Sequence, residues 1–417
     1  MSIAIRGASV VTCEGVQNAD VYISGETISA AQEVSEEIDA TGLHIFPAVL
    51  DVHVHFNEPG REDWEGAETG SHALAAGGGA FFIDMPLNST PCTVNAREFG
   101  RKRAALEAAS IADFGLWGGL IPGNVGELAE MAACGAMGFK AFLCDSGLPE
   151  FPRADDRTLL EGMRESAKLG LPVLVHAENE EICRGSSRPV IAEVEAITRA
   201  CLLARETGAK LHIVHISSGR GVVAAAEARQ QGADVSIETC PHYLAFSEQD
   251  LERLGVVAKC APPLRSAADR QALWQQVLNG TVEIVASDHS PAPPAMKSGG
   301  FSQAWGGIAG VQSTLSVLLN QPLLPLERIA SLIAREPARR FRIPRKGGIK
   351  IGNDADLVLV DLKGTTQLDP RFQRHPLSPY RGMKFRGAIR RTIRRGETIY
   401  DGEKIVARTR GKFVCTI

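Results

Sequence analysis

A repeated succession of amphipathic helix, glycine and short apolar strand runs from about residue 46 to residue 340 and limits the possible folds more than any other feature. Helices of this kind lead into L-P-V-L-V-H, A-K-L-H-I-V-H, A-D-V-S-I-E-T-C and T-V-E-I-V-A-S-D-H. Glycine readily adopts the left-handed conformation that often follows a helix. A strand of consecutive apolar residues, without polar alternation, is typical of a parallel sheet that is buried on both faces. With A-V-L-D-V-H-V-H-F, A-F-F-I-D-M, A-D-F-G-L-W-G-G and M-G-F-K-A-F-L the strands number eight. Eight such units favour an α/β fold of the (β/α)₈ barrel type over an open doubly wound sheet.

Both ends of the chain behave differently, because their apolar and polar residues alternate as in short half-buried strands. Neither group of strands is large enough to bury a good core alone. We therefore predict that residues 1–48 and 345–417 pack together into one small β domain. Residues 49–344 would then form the barrel domain.

Composition excludes several classes of protein. The chain has 45 basic and 49 acidic residues and no basic block, which argues against a nucleic-acid or membrane-surface binder. Its nine cysteines form no C-x-x-C pair, so neither a disulfide framework nor a zinc ribbon is indicated. The N-terminus lacks the pattern of a secretory signal, and no apolar stretch is long enough to span a membrane. We expect a cytoplasmic enzyme with a small, roughly neutral substrate.

Two histidines in D-V-H-V-H-F suggest a metal site. In a strand, alternate side chains share a face, so His53 and His55 point the same way. Adjacent imidazoles pack poorly in a barrel interior but make a good pair of metal ligands. Alone, the motif is read more simply as two hydrogen-bonded polar residues near a strand end, so its meaning depends on the other strands.

Further polar residues end other predicted strands, and active sites of (β/α)₈ barrels lie at the C-terminal strand ends. His176 ends L-P-V-L-V-H, His215 ends L-H-I-V-H and Asp288 ends V-E-I-V-A-S-D. His212 lies three residues before His215 and should face the opposite side of the strand, against a helix. His176, His215 and Asp288 are therefore expected to join the two histidines of D-V-H-V-H-F.

Lys140 in M-G-F-K-A-F-L is the unusual member, because an ammonium group would repel a metal ion. The simpler interpretation is a lysine whose stem is buried and whose charge reaches water. A buried lysine can instead lose its proton, and the neutral amine could capture carbon dioxide as a carbamate that bridges two cations. Two-metal sites generate a hydroxide near neutral pH and polarise a carbonyl, which suits amide hydrolysis. Asp288 would pass the hydroxide's proton to the leaving nitrogen.

Together these residues resemble those of the amidohydrolase superfamily, in its cyclic amidohydrolase branch of dihydroorotases, hydantoinases and allantoinases. The resemblance covers essentially the whole chain and implies a distorted (β/α)₈ TIM barrel flanked by a small β-sandwich. It implies two divalent ions per subunit, zinc first with cobalt, nickel or manganese as alternatives, and a homotetramer. The implied metal ligands are His53, His55, carboxylated Lys140, His176, His215 and Asp288.

Within that branch, several long motifs resemble the allantoinases: D-V-H-V-H-F-N-E-P-G-R, D-M-P-L-N-S, E-T-C-P-H-Y-L, S-D-H-S-P-A-P-P and A-W-G-G-I-A-G. This implies hydrolysis of the cyclic amide of allantoin to allantoate, a step of purine catabolism. The alternatives are a hydantoinase or dihydropyrimidinase, a dihydroorotase, or a non-catalytic relative that keeps the barrel as a scaffold. The last should have lost metal ligands, and all six are present here.

Charge at the substrate site separates these alternatives. Similar dihydroorotases bind their substrate carboxylate with an Arg, an Asn and a His at positions that here hold Asn57, Ala261 and Ala292. A carboxylate buried without partners is costly, so a neutral hydantoin ring fits Asn57 better. Asn88 is a second candidate substrate contact, or a turn residue.

His242 and His289 are candidate partners that orient the metal ligands or the base, or they are structural. The stretch from residue 176 to residue 195 is shorter than the corresponding loop usually is in allantoinases. Because loops at this face shape the cavity of a barrel, the substrate preference is the inference that this shortening affects most.

Overall fold

The computed structural model describes residues 2–183 and 188–416, so residues 184–187 of the short stretch named above lie outside the described residues. The chain begins with seven short strands. These are β1 (Ser2–Arg6), β2 (Ser9–Thr12), β3 (Gly15–Asn18), β4 (Val21–Ser24), β5 (Thr27–Ser29), β6 (Glu36–Asp39) and β7 (His44–Pro47). Four of them form a sheet in the order β5-β4-β1-β6.

Parallel strands then follow one another around the barrel, each paired with its neighbour in chain order. They are β8 (Val49–Val54), β9 (Gly79–Asp84), β10 (Asp113–Leu116), β11 (Gly118–Gly119), β12 (Phe139–Phe142), β13 (Pro172–His176), β14 (Lys210–Ile213), β15 (Val235–Thr239) and β16 (Ile284–Val285). All eight predicted strand segments are present, with β10 and β11 as two parts of one segment interrupted at Trp117.

The ring is distorted at two places. At Trp117 the segment exchanges one neighbouring strand for the other: β10, before Trp117, pairs with β9, and β11, after it, pairs with β12. The last strand segment and β8 are joined by an isolated β-bridge between Val54 and His289 rather than by a continuous ladder. The predicted distorted (β/α)₈ barrel is confirmed.

Three strands follow the barrel: β17 (Leu357–Gln367), β18 (Lys384–Arg394) and β19 (Glu397–Tyr400). They join the N-terminal strands in a sheet of order β19-β18-β17-β7-β2-β3. Apolar residues from both sheets, among them Ile5, Ile23, Ile45 and Leu359, fill one separate core. The two ends of the chain therefore form the predicted small sandwich, while the domain boundaries after residues 48 and 344 stay a prediction.

Helices connect the barrel strands and cover them. They are α1 (Ala67–Ala76), α2 (Ala96–Ala109), α3 (Leu128–Ala133), α4 (Asp156–Leu169), α5 (Val190–Thr207), α6 (Gly219–Gln230), α7 (Pro241–Ala245), α8 (Leu251–Leu254), α9 (Ala267–Leu278), α10 (Thr314–Leu319), α11 (Leu326–Ala330) and α12 (Glu336–Arg340). Gly170 and Gly208 end α4 and α5 at φ 68°, the left-handed conformation expected of a glycine after a helix. Within residues 2–183 and 188–416, no helix is both long and apolar enough to cross a bilayer.

A buried lysine joins the barrel to the sandwich. The Lys346 Nζ atom lies 2.9 Å from a carboxylate oxygen of Asp113, 3.1 Å from one of Asp354 and 2.6 Å from one of Asp356. Asp113 begins a barrel strand, whereas Asp354 and Asp356 directly precede β17. Burial by itself would lower the pKa of Lys346, but the three aspartates raise it above its usual range. The ammonium neutralises a group of buried carboxylates that would otherwise repel one another.

We predict that Lys346→Met destabilises the protein by about 3–5 kcal/mol, the usual effect of removing one partner of a buried ion pair. The measurement is denaturant-induced unfolding, followed by fluorescence and by circular dichroism. Lys404→Met, at an exposed position of the same C-terminal segment, is the control and should change the free energy of unfolding little. Equal stabilities of the two variants would contradict a structural role for the buried lysine.

Candidate metal centre and substrate cavity

The predicted ligand residues meet in one cavity of about 1350 Å³. Parallel strands direct the side chains at their C-terminal ends to a common rim. Five of the ligand residues lie in the last two positions of a barrel strand or just beyond it, and Lys140 lies within β12. All of them are buried or nearly buried. They are His53, His55, Lys140, His176, His215 and Asp288.

Asp288 brings the two histidines of β8 and its extension together. Its Oδ1 atom lies 3.1 Å from Nε2 of His53 and 3.4 Å from Nε2 of His55. One ligand atom from each of these three side chains falls within 4.8 Å of the others. Burial opposes the charges, but His53 holds the pKa of Asp288 well below its usual range. Asp288 is thus an ionised carboxylate between two imidazoles, as a metal-binding group requires.

His176 and His215 complete the imidazole group. Their ring centroids are 4.5 Å apart, and the His215 ring lies 5.4 Å from that of His53. Burial lowers the pKa of both His176 and His215 well below the usual histidine value. Both rings are therefore neutral near pH 7, which is the form of histidine that binds metal ions.

Lys140 lies on β12 with its side chain fully buried. Its Nζ atom finds no hydrogen-bond partner in the described part of the chain and lies 4.7 Å from the centre of the Phe142 ring. Burial lowers the pKa of Lys140 to about 8. A substantial fraction of neutral amine is therefore available near physiological pH for reaction with carbon dioxide.

Glu238 is an important residue that the sequence analysis missed. It lies on β15, fully buried, and its Oε1 atom accepts a hydrogen bond from Nδ1 of His53 at 2.8 Å. The same carboxylate contacts Nε2 of His212 at 3.1 Å and accepts the backbone N–H of His215 at 3.0 Å. His212 also contacts Oγ of Ser236 at 2.7 Å and packs edge-on against Phe341, which follows α12. It therefore lies on the side of the sheet that carries Glu238, and the expectation that it faces away from the site against a helix is wrong. A glutamate within the predicted barrel strand V-S-I-E-T was the available signal.

Glu178, two residues after His176, has a similar place on the other side of the site. Its Oε2 atom lies 2.8 Å from Nε2 of His176 and 2.8 Å from a guanidinium nitrogen of Arg188. Carboxylates in this position fix the ring orientation of a metal-binding histidine. Sequence reasoning missed this residue because nothing in H-A-E-N shows which way the glutamate points.

The two asparagines proposed as substrate contacts differ in position. Asn88 lines the cavity at φ 69°, and its amide donates to Oγ of Ser290 at 3.3 Å. Asn57 is fully buried at φ 66°, does not line the cavity, and donates to the carbonyl of Pro291 at 3.4 Å. The geometry therefore favours Asn88 as the contact, and the role of Asn57 stays a prediction.

His242 and His289 are both buried beside the candidate ligands. One ring nitrogen of His242 lies within 4.8 Å of an Asp288 carboxylate oxygen, and neither of its nitrogens has a partner among residues 2–183 and 188–416. The Nδ1 atom of His289 accepts the backbone N–H groups of Gly310 and Val311 at 3.1 and 3.3 Å. His289 thus joins the strand end of Asp288 to the following loop. Their proposed roles in orienting the ligands stay predictions.

Besides Lys140, two cationic side chains of the described residues reach the cavity, and both have partners. Arg188 pairs with Glu178, and the Nζ atom of Lys259 donates to the carbonyls of Ser302 and Ala304 at 3.2 and 2.6 Å. Ala261, one of the positions compared with dihydroorotases, lines the cavity with an apolar methyl group. The arrangement favours a neutral substrate.

Comparisons with known proteins agree with this geometry. The chain is 60% identical to a curated allantoinase of Solibacter usitatus, over 98% of this chain and 96% of that protein. It is 49% identical to an allantoinase of Rubrobacter xylanophilus, over 99% and 97%. Among solved structures, the L-hydantoinase (dihydropyrimidinase) of Arthrobacter aurescens matches with a TM-score of 0.95 and 33% identity, covering 99% of both chains.

The model of the amidohydrolase family matches residues 44–399, which include the whole barrel and all six candidate ligands. The resemblance inferred from the motifs is confirmed. The chain therefore belongs to the amidohydrolase family.

Proposed function

We propose that this chain hydrolyses the cyclic amide of allantoin to give allantoate, as a step in purine catabolism. The convergence of four imidazoles, a lysine amine and a carboxylate on one cavity carries the proposal that it is a hydrolase. The choice of allantoin rests on the near full-length similarity to proteins named allantoinase and on a cavity in which Arg188 and Lys259 already have partners. A homotetrameric assembly and a cytoplasmic location stay predictions.

The donor set fits divalent cations, because it combines imidazoles, of which those of His176 and His215 are neutral, with an ionised carboxylate and the amine of Lys140, which can become a carbamate. We assign two ions to the side chains described above, with zinc first and cobalt, nickel or manganese as alternatives. Bound ions of this kind polarise a carbonyl group and lower the pKa of water. The proposed ligands are His53, His55, carboxylated Lys140, His176, His215 and Asp288.

Asp288 is the proposed base of the reaction. As water attacks the ring carbonyl, a new C–O bond forms and the C–N bond of the ring breaks. Asp288 takes one proton from the attacking water and delivers it to the leaving nitrogen, which becomes the open ureido group. The carboxylic acid that forms releases the second proton of the water to solvent and leaves as a carboxylate. His53 and His55 position the carboxylate of Asp288 for this transfer, while Glu238 holds the ring of His53.

Asn88 is the proposed polar contact to the substrate, and His242 and His289 are proposed to support the metal ligands. Hydantoinase activity is the second candidate, because the L-hydantoinase structure superimposes on nearly the whole chain. Hydantoin and allantoin share the ring that is opened. They differ in the substituent that the remaining cavity wall must accommodate.

We predict that the purified protein hydrolyses allantoin and loses this activity on chelation, regaining it with added zinc, cobalt, nickel or manganese. The measurement compares steady-state kcat/KM for allantoin, hydantoin and dihydroorotate, with metal content determined in parallel. Faster turnover of dihydroorotate than of allantoin would exclude the proposed substrate. Full activity without bound metal would exclude the proposed chemistry.

Replacing the central lysine tests the carbamate. We predict that Lys140→Ala abolishes activity and that small carboxylic acids such as acetate or propionate partly restore it. A carboxylate in the space left by the lysine would supply the oxygens that the carbamate otherwise provides. An unchanged metal content together with no rescue by any acid tested would argue against the carbamate.

Glu238 provides a test of ligand orientation. We predict that Glu238→Gln weakens metal affinity about 10–100-fold, because a glutamine no longer holds Nδ1 of His53 with a charged acceptor. Competition with a metal chelator measures this affinity. Glu252→Gln, on exposed helix α8, is the matched control and should bind metal as the wild type does. Equal affinities in both variants would show that Glu238 is not needed for orientation.

A further inference from the structure

One loop supplies a large part of the cavity wall. We call residues 294–307 the cavity loop, which runs from a short helical turn at Pro294–Lys297 to the glycines of A-W-G-G. Its lining residues include the aromatic side chains of Phe301 and Trp305 and the continuous stretch between them. The loop therefore limits the space beside the candidate metal centre.

Beyond its first turn, the cavity loop has little regular structure, and its carbonyl groups need other donors. The Nζ atom of Lys297 donates to the carbonyls of Trp305 at 2.9 Å, Gly307 at 2.6 Å and Val256 at 3.3 Å. As described above, Lys259 donates to two more carbonyls of the same loop. Two ammonium groups thus close the loop on itself and attach it to the segment that contains Val256 and Lys259.

Lys297 is unusual in being 8% exposed and held by backbone carbonyls rather than by a carboxylate. Burial lowers the pKa of Lys297 to about 8, so the group remains mostly protonated near neutral pH. An ammonium removed from water without a counter-charge is costly unless its donors are satisfied. Hydrogen bonds to a charged group are stronger than those between neutral groups, and two of the three bonds of Lys297 are made to carbonyls of this one loop.

The aromatic end of the loop is held at a second place. The ring of Trp305 packs edge-on against that of Trp64 at 5.0 Å, and the guanidinium of Arg61 lies 4.9 Å from the Trp64 ring. Directly after the loop, the carbonyl of Ile308 accepts the backbone N–H of Ser290 at 2.9 Å. A shift of the loop would therefore move Trp305 relative to the strand end that carries Asp288.

We propose that Lys297 and Lys259 are positioning residues that hold the cavity loop closed and thereby determine which ring substituent the enzyme accepts. The proposal rests on the function proposed above. With the loop closed, Phe301 and Trp305 leave room for a small polar substituent such as the ureido group of allantoin. With the loop released, small substrates lose contacts, and hydantoins with bulky apolar substituents gain access.

The experiment compares wild type, Lys297→Met, Lys259→Met and a control, using allantoin and 5-benzylhydantoin as substrates. Lys297→Met removes all three hydrogen bonds of the ammonium group, and we expect it to raise KM for allantoin about 10-fold with kcat nearly unchanged. The ratio of kcat/KM for 5-benzylhydantoin to that for allantoin should rise. Lys259→Met should act in the same direction and keeps the test valid if Lys297→Met fails to fold.

Lys210→Met is the matched control, because Lys210 also donates to a backbone carbonyl, that of Gly170 at 3.2 Å, but at the start of a barrel strand. Hydrogen exchange of the metal-loaded proteins, read by mass spectrometry, should become faster in peptides from residues 294–307 in both loop variants. It should remain unchanged there in Lys210→Met.

The outcomes separate the two proposals. Unchanged exchange in the cavity loop and unchanged KM in both variants would overturn the positioning role, as would faster exchange throughout the chain. If the wild type prefers another cyclic amide to allantoin, the proposed function fails. The exchange data would then still decide whether the two lysines hold the loop.

Discussion

The candidate site depends on the contact that joins the last strand segment of the barrel to the first. The backbone N–H of His55 donates to the carbonyl of His289 at 2.8 Å, and that of Ser287 donates to a carboxylate oxygen of Asp51 at 3.1 Å. These pairs join residues more than 230 positions apart in the chain. This contact brings Asp288 between the two histidines of D-V-H-V-H-F. The remaining ligands enter from neighbouring strands and need only the local parallel pairing.

The sequence was sufficient for features that repeat or that end a strand. Glycine after each helix and unbroken apolar strands predicted the barrel, and the residue that closes each strand predicted the side chains that meet in the cavity. Glu238 and Lys297 could not be found in this way, because their importance comes from partners that only the folded chain brings near. The role predicted for Asn57 rests on its spacing from the histidines, whereas the turn buries its side chain away from the residues that line the cavity. The spacing of residues along a chain indicates which of them lie near one another, but not where each side chain points.

Several site residues adopt a conformation that most side chains avoid. His215, Asp288, Asn57 and Asn88 have φ angles of 40°, 46°, 66° and 69°. Histidine, aspartate and asparagine tolerate the left-handed region better than other non-glycine residues, but each still costs roughly 1–2 kcal/mol. The backbone bond from His215 to Glu238 and the side-chain bond from Asn88 to Ser290 help to offset this cost. Buried polar contacts therefore hold these site residues in their unusual conformation. The side chains that surround the proposed ligands, such as the carboxylate of Glu238, contribute to this as much as the ligands do.

The six-stranded sheet of the sandwich has a consequence for how the protein is made. Its strand β7 pairs on one side with β2 and on the other with β17, more than 300 residues later in the chain. During synthesis the N-terminal strands therefore leave the ribosome long before their partners exist, and β7 presents an unpaired edge throughout translation of the barrel. Such edges invite association with other chains. The pairing of β7 with β17 therefore covers this edge only after the whole barrel has been translated.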